Sequence, residues 1–395
     1  MNHRSAINND GQAPSFAKKR SLLLRMIRAA QPISRTEIAQ RLDIDKSTVT
    51  ENVKPLIAAG MIGETQENIQ GRKTRVLSFV DGEDYFIGLN LGVRRSQVGL
   101  TTLTGQIADE MDFETPSTAE SALRTAREYI EKIHKSNPDR RLRGIGVSVP
   151  GMTDLTRREL TYAPNLGWKN VAIADALQIN DSIRVVVEND STAAAMYESR
   201  IKIGRTEDGV MTNFVLVRSG TGIGVGLVIG GEVFRGGGAG TGIAGEFGHM
   251  TIVAGGKPCV CGNRGCWEKY ASAASAASLY LGDRPPARGE SVPRFVEIVS
   301  KAENGEIRSR RTLEKIGDYL GIGIANVIMG VGIPRVIISG RLVYGWKFIK
   351  DPMHEAIRRS IIGKLEGWSV EAGEPVGSAI GGALEIAVED FLATL

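Results

Sequence analysis

The chain has 395 residues, of which 42% are hydrophobic, and its net charge is +4. This length and apolar content argue against a disordered polypeptide and allow two or three domains with cores of their own. The first 80 residues carry 13 basic and 7 acidic side chains, a net charge of +6, whereas the remainder is close to neutral at −2. A basic segment on a near-neutral body favours a nucleic-acid-binding module, although a solvated basic surface gives the same count.

Two stretches bear on where the protein works. The N-terminal segment MNHRSAINND lacks the apolar core of a secretion signal. The longest uncharged stretch, Tyr319 to Pro334, is broken by several glycines and is too short to cross a bilayer. We therefore expect a cytoplasmic protein that does not contact a membrane. The 48 glycines cluster in short turns between apolar runs, which indicates an α/β protein.

Residues 16–80 follow the pattern of a small DNA-binding domain, after 15 N-terminal residues that we expect to be flexible. The spacing of apolar residues predicts helices at about residues 16–30, 34–42 and 46–59. Ser34 and Glu37 have the spacing of a capping box at the start of the second helix. A three-residue turn separates the second and third helices, which is typical of a helix-turn-helix.

The third helix and the segment after it supply the candidate DNA contacts. Val49, Val53 and Leu56 form an inward apolar stripe on this helix. Residues 61–80 then read as two strands around a basic tip at 70–73, which predicts a winged helix-turn-helix. The side chains that we expect at the DNA are Arg35, Lys46, Ser47, Thr48, Thr50, Glu51, Lys54, Arg72 and Lys73. The same pattern also fits a three-helix domain used for protein contacts.

All three cysteines of the chain, Cys259, Cys261 and Cys266, lie in one short segment, PCVCGNRGCWE. Such a cluster predicts a metal site, although a disulfide or buried free thiols would also use these residues. A tetrahedral structural zinc needs a fourth ligand, and the only nearby histidine is His249, ten residues upstream of Cys259. We therefore predict a structural Zn²⁺ bound by these four residues in a loop over 249–268.

The body of the chain, residues 85–395, contains strands that end in glycine-rich turns. Four of its segments form a specific combination: VENDSTAAA, SGTGIGVGLVIGG, GEFGHM and CVCGNRGCWEKYAS. Together they resemble the ROK family of repressors, uncharacterised reading frames and sugar kinases. The resemblance implies an actin-like, ribonuclease-H-like body with two lobes, the zinc loop lying in the second. The whole chain is thus predicted to be an α/β protein with an N-terminal winged helix-turn-helix.

The resemblance also implies a sugar site. In that family the aspartate of the VEND segment is the kinase general base and contacts the sugar, and Asp190 occupies its place. The glutamate and histidine of the E-x-G-H segment bind sugar hydroxyls and correspond to Glu246 and His249, so His249 is implied to serve both zinc and sugar. The implied sugar-binding set is Gly151, Asn189, Asp190, Glu246, His249 and Glu268. Carboxylates and amides that converge without close cations suit a ligand dense in hydroxyls.

The first glycine turn of the body distinguishes two functions. In sugar kinases of this family the turn resembles D-x-G-G-T, and its aspartate helps to hold Mg-ATP. Here it reads Asn90-Leu91-Gly92-Val93-Arg94, so the acid, the second glycine and the hydroxyl are all replaced. A neutral amide binds Mg²⁺ far more weakly than a carboxylate, and the side chain of Val93 obstructs the close approach of a phosphate. We therefore predict a regulator without catalytic residues rather than an enzyme.

Together these features predict a transcriptional repressor of carbohydrate-utilisation genes that a sugar releases from a double-stranded DNA operator. We expect a homo-oligomer, a dimer or a tetramer, because half-site recognition by one small module is weak. The intact SGTGIGVG segment and Asp190 keep an ATP-dependent sugar kinase, or a bifunctional kinase and regulator, as the alternative. The sequence also leaves open an activator, a protein effector and the identity of the sugar.

Overall fold

The computed structural model describes residues 16–69, 71–205, 213–236, 244–288, 290–375 and 378–395. The N-terminal 15 residues, which we expect to be flexible, and Gln70 of the wing tip lie outside these ranges. Within them the chain is an α/β structure with four sheets, two of three strands and two of five. None of the helices in these ranges is long and apolar enough to cross a membrane.

The N-terminal part of the chain forms three helices and a small antiparallel sheet. Its elements are α1 (Phe16–Ala30), β1 (Ile33–Ser34), α2 (Arg35–Leu42), α3 (Lys46–Ala58), β2 (Ile62–Ile69) and β3 (Arg72–Phe79). The strand order is β1-β3-β2. Ser34 caps α2, because its hydroxyl accepts a hydrogen bond from the Glu37 amide at 3.1 Å. The stripe of Val49, Val53 and Leu56 is buried, so the predicted inward face of α3 is confirmed.

The first lobe of the body is built on a five-stranded sheet. Its elements are β4 (Asp84–Asn90), β5 (Arg95–Thr101), β6 (Ile107–Glu114), α4 (Ala119–Lys135), β7 (Arg141–Val149), β8 (Met152–Thr153), β9 (Leu160–Ala163), β10 (Trp168–Val171), α5 (Ile173–Leu177), β11 (Arg184–Asn189) and α6 (Asp190–Arg205). The sheet has the order β11-β7-β4-β5-β6, and β8, β9 and β10 form a separate small sheet. Strands β4, β7 and β11 run parallel, whereas β5 and β6 are antiparallel to their neighbours.

The second lobe repeats this arrangement. Its elements are β12 (Phe214–Ser219), β13 (Ile223–Ile229), β14 (Glu232–Phe234), a 3-10 helix (Glu246–His249), α7 (Glu268–Ala271), α8 (Ser275–Leu281), α9 (Phe295–Glu303), α10 (Ile307–Val331), β15 (Arg335–Gly340), a 3-10 helix (Arg341–Gly345), α11 (Trp346–Arg358), a 3-10 helix (Ile362–Lys364) and β16 (Ser369–Ala372). The sheet order is β14-β13-β12-β15-β16. Counted along the chain within each lobe, both large sheets have the order 3-2-1-4-5, so the predicted two-lobed body is confirmed.

The last helix, α12 (Ser378–Leu392), returns to the first lobe. It packs across β4 and β7 of the first large sheet. A Cβ atom at Gly146 of β7 would lie 2.7 Å from the backbone nitrogen of Ala387, so glycine is needed for the helix to approach this closely. The C-terminal helix therefore completes the first lobe, although it follows the second lobe in sequence.

The N-terminal helices share a core with the body. Leu24 and Ile27 of α1 lie in the same buried apolar cluster as Phe86 of β4 and Val388 of α12. The rings of Phe86 and Phe391 are 5.3 Å apart. Buried apolar contact of this kind stabilises the association of two elements. The helix-turn-helix is therefore packed directly on the first lobe and its C-terminal helix.

Candidate functional site

Four candidate metal ligands lie close together in the second lobe. Each of His249, Cys259, Cys261 and Cys266 brings one ligand atom to within 4.8 Å of the other three. The three cysteines are free thiols, so the disulfide considered from the sequence is not formed. The sequence predicts this grouping from spacing, and the structure brings the four side chains together.

The separations within the cluster suit a tetrahedral ion. Zinc bound at about 2.3 Å to sulfur and about 2.1 Å to nitrogen places two sulfurs roughly 3.8 Å apart, and a sulfur and a nitrogen roughly 3.6 Å apart. The Sγ atoms of Cys261 and Cys266 are 3.7 Å apart, and His249 Nδ1 lies 3.6 Å from Cys259 Sγ. Burial raises the pKa of the Cys259 and Cys266 thiols, so a cation is needed to hold them as thiolates. These four residues can therefore hold a tetracoordinate metal ion.

Two glycines let the loop turn tightly around the cluster. Gly262 and Gly265 have φ angles of 91° and 78°, which favour glycine. A Cβ atom at Gly265 would also overlap the carbonyl oxygen of Val253. The Cys259 amide donates a hydrogen bond to the carbonyl oxygen of Asn263 at 2.9 Å, and the Gly262 amide donates to that of Cys259 at 3.1 Å. The backbone itself therefore fixes where the cysteine side chains point.

His249 connects the metal cluster to a group of carboxylates. Its Nδ1 faces Cys259, and its Nε2 lies 3.8 Å from a carboxylate oxygen of Glu246. Glu268 is buried, and its Oε1 accepts a hydrogen bond from the Cys259 thiol at 3.2 Å. The ring thus turns one nitrogen to the thiols and the other to a carboxylate, which is compatible with the two roles that the resemblance implies.

The carboxylates near His249 influence one another. Burial raises the pKa of Glu246, His249 opposes this rise, and Asp190 and Glu268 add to it by charge repulsion. A carboxyl group with a raised pKa binds a proton more readily, and in that form it donates as well as accepts hydrogen bonds. Such a group can pair with a ligand hydroxyl in either direction.

Asn189 and Asp190 lie where β11 passes into α6. The side-chain oxygen of Asn189 accepts hydrogen bonds from the amides of Ser191 and Thr192, at 2.8 and 3.1 Å, and so caps the helix. Its side-chain nitrogen donates to the carbonyl oxygen of Gly151 at 2.9 Å. Asn189 therefore ties α6 to the turn after β7, and Asp190 follows it as the first residue of the helix.

Arg218 is a residue of the site that sequence reasoning missed. It lies on β12, and its Nη1 donates a hydrogen bond to Oδ2 of Asp190 at 2.6 Å. The pair joins the two large sheets, because Asp190 follows β11 of the first and β12 belongs to the second. The expectation of a carbohydrate site without close cations is therefore wrong at Asp190. The signal in the sequence is a charged residue between the apolar run FVLV and the glycine turn.

Asn90 ends β4 and is buried in the first lobe. Its side-chain oxygen accepts a hydrogen bond from the Ser148 hydroxyl at 3.0 Å, and its nitrogen donates to Oε1 of Gln97 at 3.5 Å. A Cβ atom at Gly92 would overlap the carbonyl oxygen of Arg95, so the turn backbone packs against itself. The side chain of Asn90 is therefore engaged within its own sheet.

A second candidate site lies on α3 and the β2–β3 hairpin. The predicted contacts on α3 are all exposed or partly exposed: Lys46, Ser47, Thr48, Thr50, Glu51 and Lys54. Arg72 and Lys73 are exposed beside the hairpin tip, where Ile69 pairs with Arg72. Arg35 differs from the others, because its guanidinium group forms an ion pair with Glu64 of β2. The helix and the basic tip present a surface that a DNA duplex can reach.

Two family models match this chain. The model described as ROK family matches residues 86–389, and one described as HVO_A0114 matches residues 15–82. The xylose repressor of Bacillus subtilis (strain 168) is 29% identical over 361 residues, which cover 89% of this chain and 90% of that protein. The glucokinase of Halalkalibacterium halodurans is 29% identical over 272 residues, which cover 65% of this chain and 80% of that protein.

A solved structure has the same fold over nearly the whole chain. It is a ROK family transcriptional regulator, described as a homologue of the Escherichia coli MLC protein. The superposition covers 95% of this chain and 98% of that chain, with a TM-score of 0.74 and 22% sequence identity. Since the ROK model also matches most of the sequence, from residue 86 to residue 389, this chain belongs to the ROK family.

Proposed function

We propose that this chain is a sugar-responsive transcriptional repressor of carbohydrate-utilisation genes. The observation that carries the proposal is the combination of two sites in one chain: an exposed polar helix face beside a hairpin with a basic tip, and a body in which carboxylates lie around His249. The similarity to a xylose repressor supports the proposal, because it extends over 89% of the chain and so includes both parts.

The two sites correspond to a proposed division of the chain. Residues 16–80 are the DNA-binding domain, and residues 85–395 are the sugar-binding domain. In this proposal α3 enters the major groove of an operator, and Arg72 and Lys73 at the wing contact backbone phosphates. Arg35 acts indirectly, because its ion pair with Glu64 holds the wing against α2. The protein works as a homo-oligomer, at least a dimer, so that two such modules read two half-sites.

Zinc is the metal that we propose for the four-residue cluster. Three thiolates and one imidazole are a common donor set of structural zinc sites. When bound, the ion supplies the positive charge that keeps the thiols ionised and fixes the tautomer of His249. The side chains of the loop then hold the ring with Nε2 towards Glu246. The proposed sugar-binding set is Gly151, Asn189, Asp190, Glu246, His249 and Glu268, with Arg218 as an addition.

In this proposal, sugar binding changes the affinity for DNA through a change in how the two lobes meet. The ion pair between Arg218 and Asp190 spans the two sheets, so a ligand that bonds to Asp190 alters how the lobes meet. The first lobe and α12 share an apolar core with α1, so a change in the lobes reaches the helix-turn-helix. Release requires that the sugar binds more tightly to the state with the lower affinity for DNA.

The test uses DNA fragments that the full-length protein selects from genomic DNA. Fluorescence anisotropy then measures their affinity with and without each of a panel of monosaccharides. We expect one sugar to lower the affinity at least about tenfold, a coupling of about 1.4 kcal/mol. Glu246→Ala is expected to bind the same fragments and to ignore the sugar, whereas Glu120→Ala, at an exposed position of α4, keeps the response. A Glu246→Ala protein that still releases its DNA refutes the sugar site.

The wing is tested separately. Replacing both Arg72 and Lys73 with Ala is expected to weaken DNA binding and to reduce the slope of log affinity against log salt by roughly two. An unchanged slope would remove the hairpin from the DNA interface. A protein that selects no fragment at all, while still binding a sugar, would refute the regulator.

A sugar kinase, alone or combined with the regulator, is the second candidate. The similarity to a glucokinase and the position of Asp190 favour it. Against it, both carboxylate oxygens of Asp190 already accept hydrogen bonds, Oδ2 from Arg218 and Oδ1 from the Ser191 hydroxyl, so a substrate hydroxyl has to compete with these partners. Incubation with Mg-ATP and monosaccharides decides between the two. A sugar phosphate detected by mass spectrometry establishes a kinase. If no sugar phosphate forms in a sample whose melting temperature rises with a sugar, the protein binds that sugar without phosphorylating it, which supports the regulator.

A further inference from the structure

A cavity of about 530 Å³ lies where the helix-turn-helix meets both lobes. Its wall comes from α1, from α6, from the turn between β13 and β14 and from the end of α12. It is separate from the proposed sugar site, because no proposed sugar or zinc residue lines it. A cavity of this volume accommodates a small metabolite.

Arginines dominate the wall of this cavity. Among the described residues, six arginines line it, namely Arg20, Arg25, Arg28, Arg157, Arg200 and Arg235, against three side-chain carboxylates. Two further carboxylates, Glu188 and Glu385, are buried behind the wall and pair with four of these arginines. With all five carboxylates ionised, the six arginines leave these described side chains a net charge of +1 (six less five), before the α-carboxylate of the lining residue Leu395 is counted.

Several guanidinium donors in the wall have no acceptor within the part of the chain that the structure describes. Arg20 forms no ion pair with a described residue, and its buried Nε has no hydrogen-bond partner among them. The Nη2 of Arg157 and the Nε of Arg28 are also buried without a hydrogen-bond partner among the described residues. Burial also lowers the pKa of Arg157, an effect that Glu188 opposes. Buried donors are costly to leave unpaired, and a ligand rich in oxygen atoms would satisfy them.

We propose that this cavity binds a small organic phosphate. The arginines reach it from α1, from α6, from the residue after β14 and from the segment around Arg157, which are different directions. A tetrahedral phosphate offers acceptors in several directions, whereas a carboxylate offers them in one plane. A phosphate monoester also carries a charge between −1.5 and −2 near neutral pH, which is opposite in sign to the guanidinium groups of the wall.

A ligand in this cavity acts on the DNA-binding module, because α1 forms part of the wall. Arg25 of α1 pairs with Glu389 of α12 and donates a hydrogen bond to the carbonyl oxygen of Gly231 at 2.7 Å. These contacts hold α1 against the body, and a phosphate that neutralises the arginines stabilises this docked arrangement. The cavity is also linked to the sugar site, because α6 begins at Asp190 and reaches the wall at Arg200.

Calorimetric titration of the full-length protein with glycerol 3-phosphate tests the proposal. Glycerol is the neutral counterpart, malonate is the dicarboxylate and inorganic phosphate is the anion without an organic part. We expect glycerol 3-phosphate to bind at least about tenfold more tightly than the other three. Arg20→Gln, which breaks no ion pair with a described residue, is expected to weaken this binding about tenfold. Arg124→Gln, on the exposed face of α4, should leave it unchanged.

Three outcomes overturn the proposal. The first is an equal affinity for malonate or for inorganic phosphate, which would assign the cavity to other anions. The second is the same affinity in the Arg20→Gln and wild-type proteins, provided that both melt at the same temperature. The third is loss of phosphate binding in Glu246→Ala, which would place the ligand in the sugar site instead. Retained binding in Glu246→Ala supports a site of its own, even where that variant has lost its response to sugar.

Discussion

The two lobes have the same strand order but differ in their first hairpins. In the first lobe, β4 leads into a turn that begins at Asn90, whose side chain is bonded within its own sheet. In the second lobe, β12 leads into a turn rich in glycine. A Cβ atom at Gly222 would overlap Oε2 of Glu268, and one at Gly224 would lie 2.9 Å from Cβ of Ser191. The second hairpin thus needs its glycines to bring Glu268 and α6 together. This packing requires glycine whether or not the turn binds a nucleotide.

The largest effect is expected at Gly226, in β13 of the second hairpin. A Cβ atom there would lie 2.6 Å from the backbone oxygen of Ser191 and 2.6 Å from Cβ of Ala195, so α6 would have to move. We expect Gly226→Ala to lower the free energy of unfolding by about 3 kcal/mol. Gly220→Ala is the matched control, because a Cβ atom at Gly220 meets no atom of a described residue within 4 Å. Urea denaturation measures both, and equal effects would show that the hairpin does not constrain α6.

The metal loop is the second constraint on the second lobe. Cys261→Ser removes one of the four ligands, and we expect the protein to lose most of its zinc as well as its response to sugar, because His249 is then free to turn. Val260→Ser, at a neighbouring side chain that is 58% exposed, should keep both. Elemental analysis and DNA-release assays measure the two properties. Full metal content in Cys261→Ser would refute the ligand set.

Local signals made part of this molecule predictable from its sequence. The cap at Ser34, the buried stripe that includes Val49 and the grouping of the cysteines each depend on residues that are near in sequence, and each is present in the structure. Contacts between distant elements were not predictable in this way. Arg218 pairs with Asp190 only because β12 of one lobe packs against α6, which begins at Asp190 in the other. From the sequence alone Arg35 is predicted to contact DNA, whereas in the fold its guanidinium group forms an ion pair with Glu64.

Arg218 offers a smaller and more selective perturbation of the second lobe. Its guanidinium group orients Asp190, and a hydrogen bond between charged groups contributes about 1.5–3 kcal/mol. We therefore expect Arg218→Met to weaken sugar binding at least about tenfold. Arg218→Lys keeps the charge but not the planar guanidinium group. Its affinity for the sugar should lie between those of the wild-type protein and Arg218→Met. Calorimetric titration measures the affinities, and an unchanged affinity in Arg218→Met would limit this pair to joining the lobes.

The smallest effect is expected from Asn90→Asp, which tests the first hairpin. The substitution restores the carboxylate that the family's kinases carry, but Val93 keeps its side chain and Asp190 keeps its pairing with Arg218. We expect no sugar phosphate after incubation with Mg-ATP, as judged by mass spectrometry. The free energy of unfolding should fall by about 1 kcal/mol, because a charge enters a site that is 8% exposed while Ser148 still donates to it.

The two outcomes of that experiment separate two explanations of the difference between the lobes. A sugar phosphate formed by Asn90→Asp would mean that the second lobe has kept a working nucleotide site, so its glycines serve phosphate as well as the packing of Glu268. No product, together with unchanged sugar binding, would mean that the missing carboxylate at residue 90 does not by itself account for the lack of kinase activity, since Val93 and the pairing of Asp190 with Arg218 remain in place. In that case the retained glycine turn is explained by the sugar site, because an added Cβ atom at Gly222 overlaps Glu268 whether or not ATP is present.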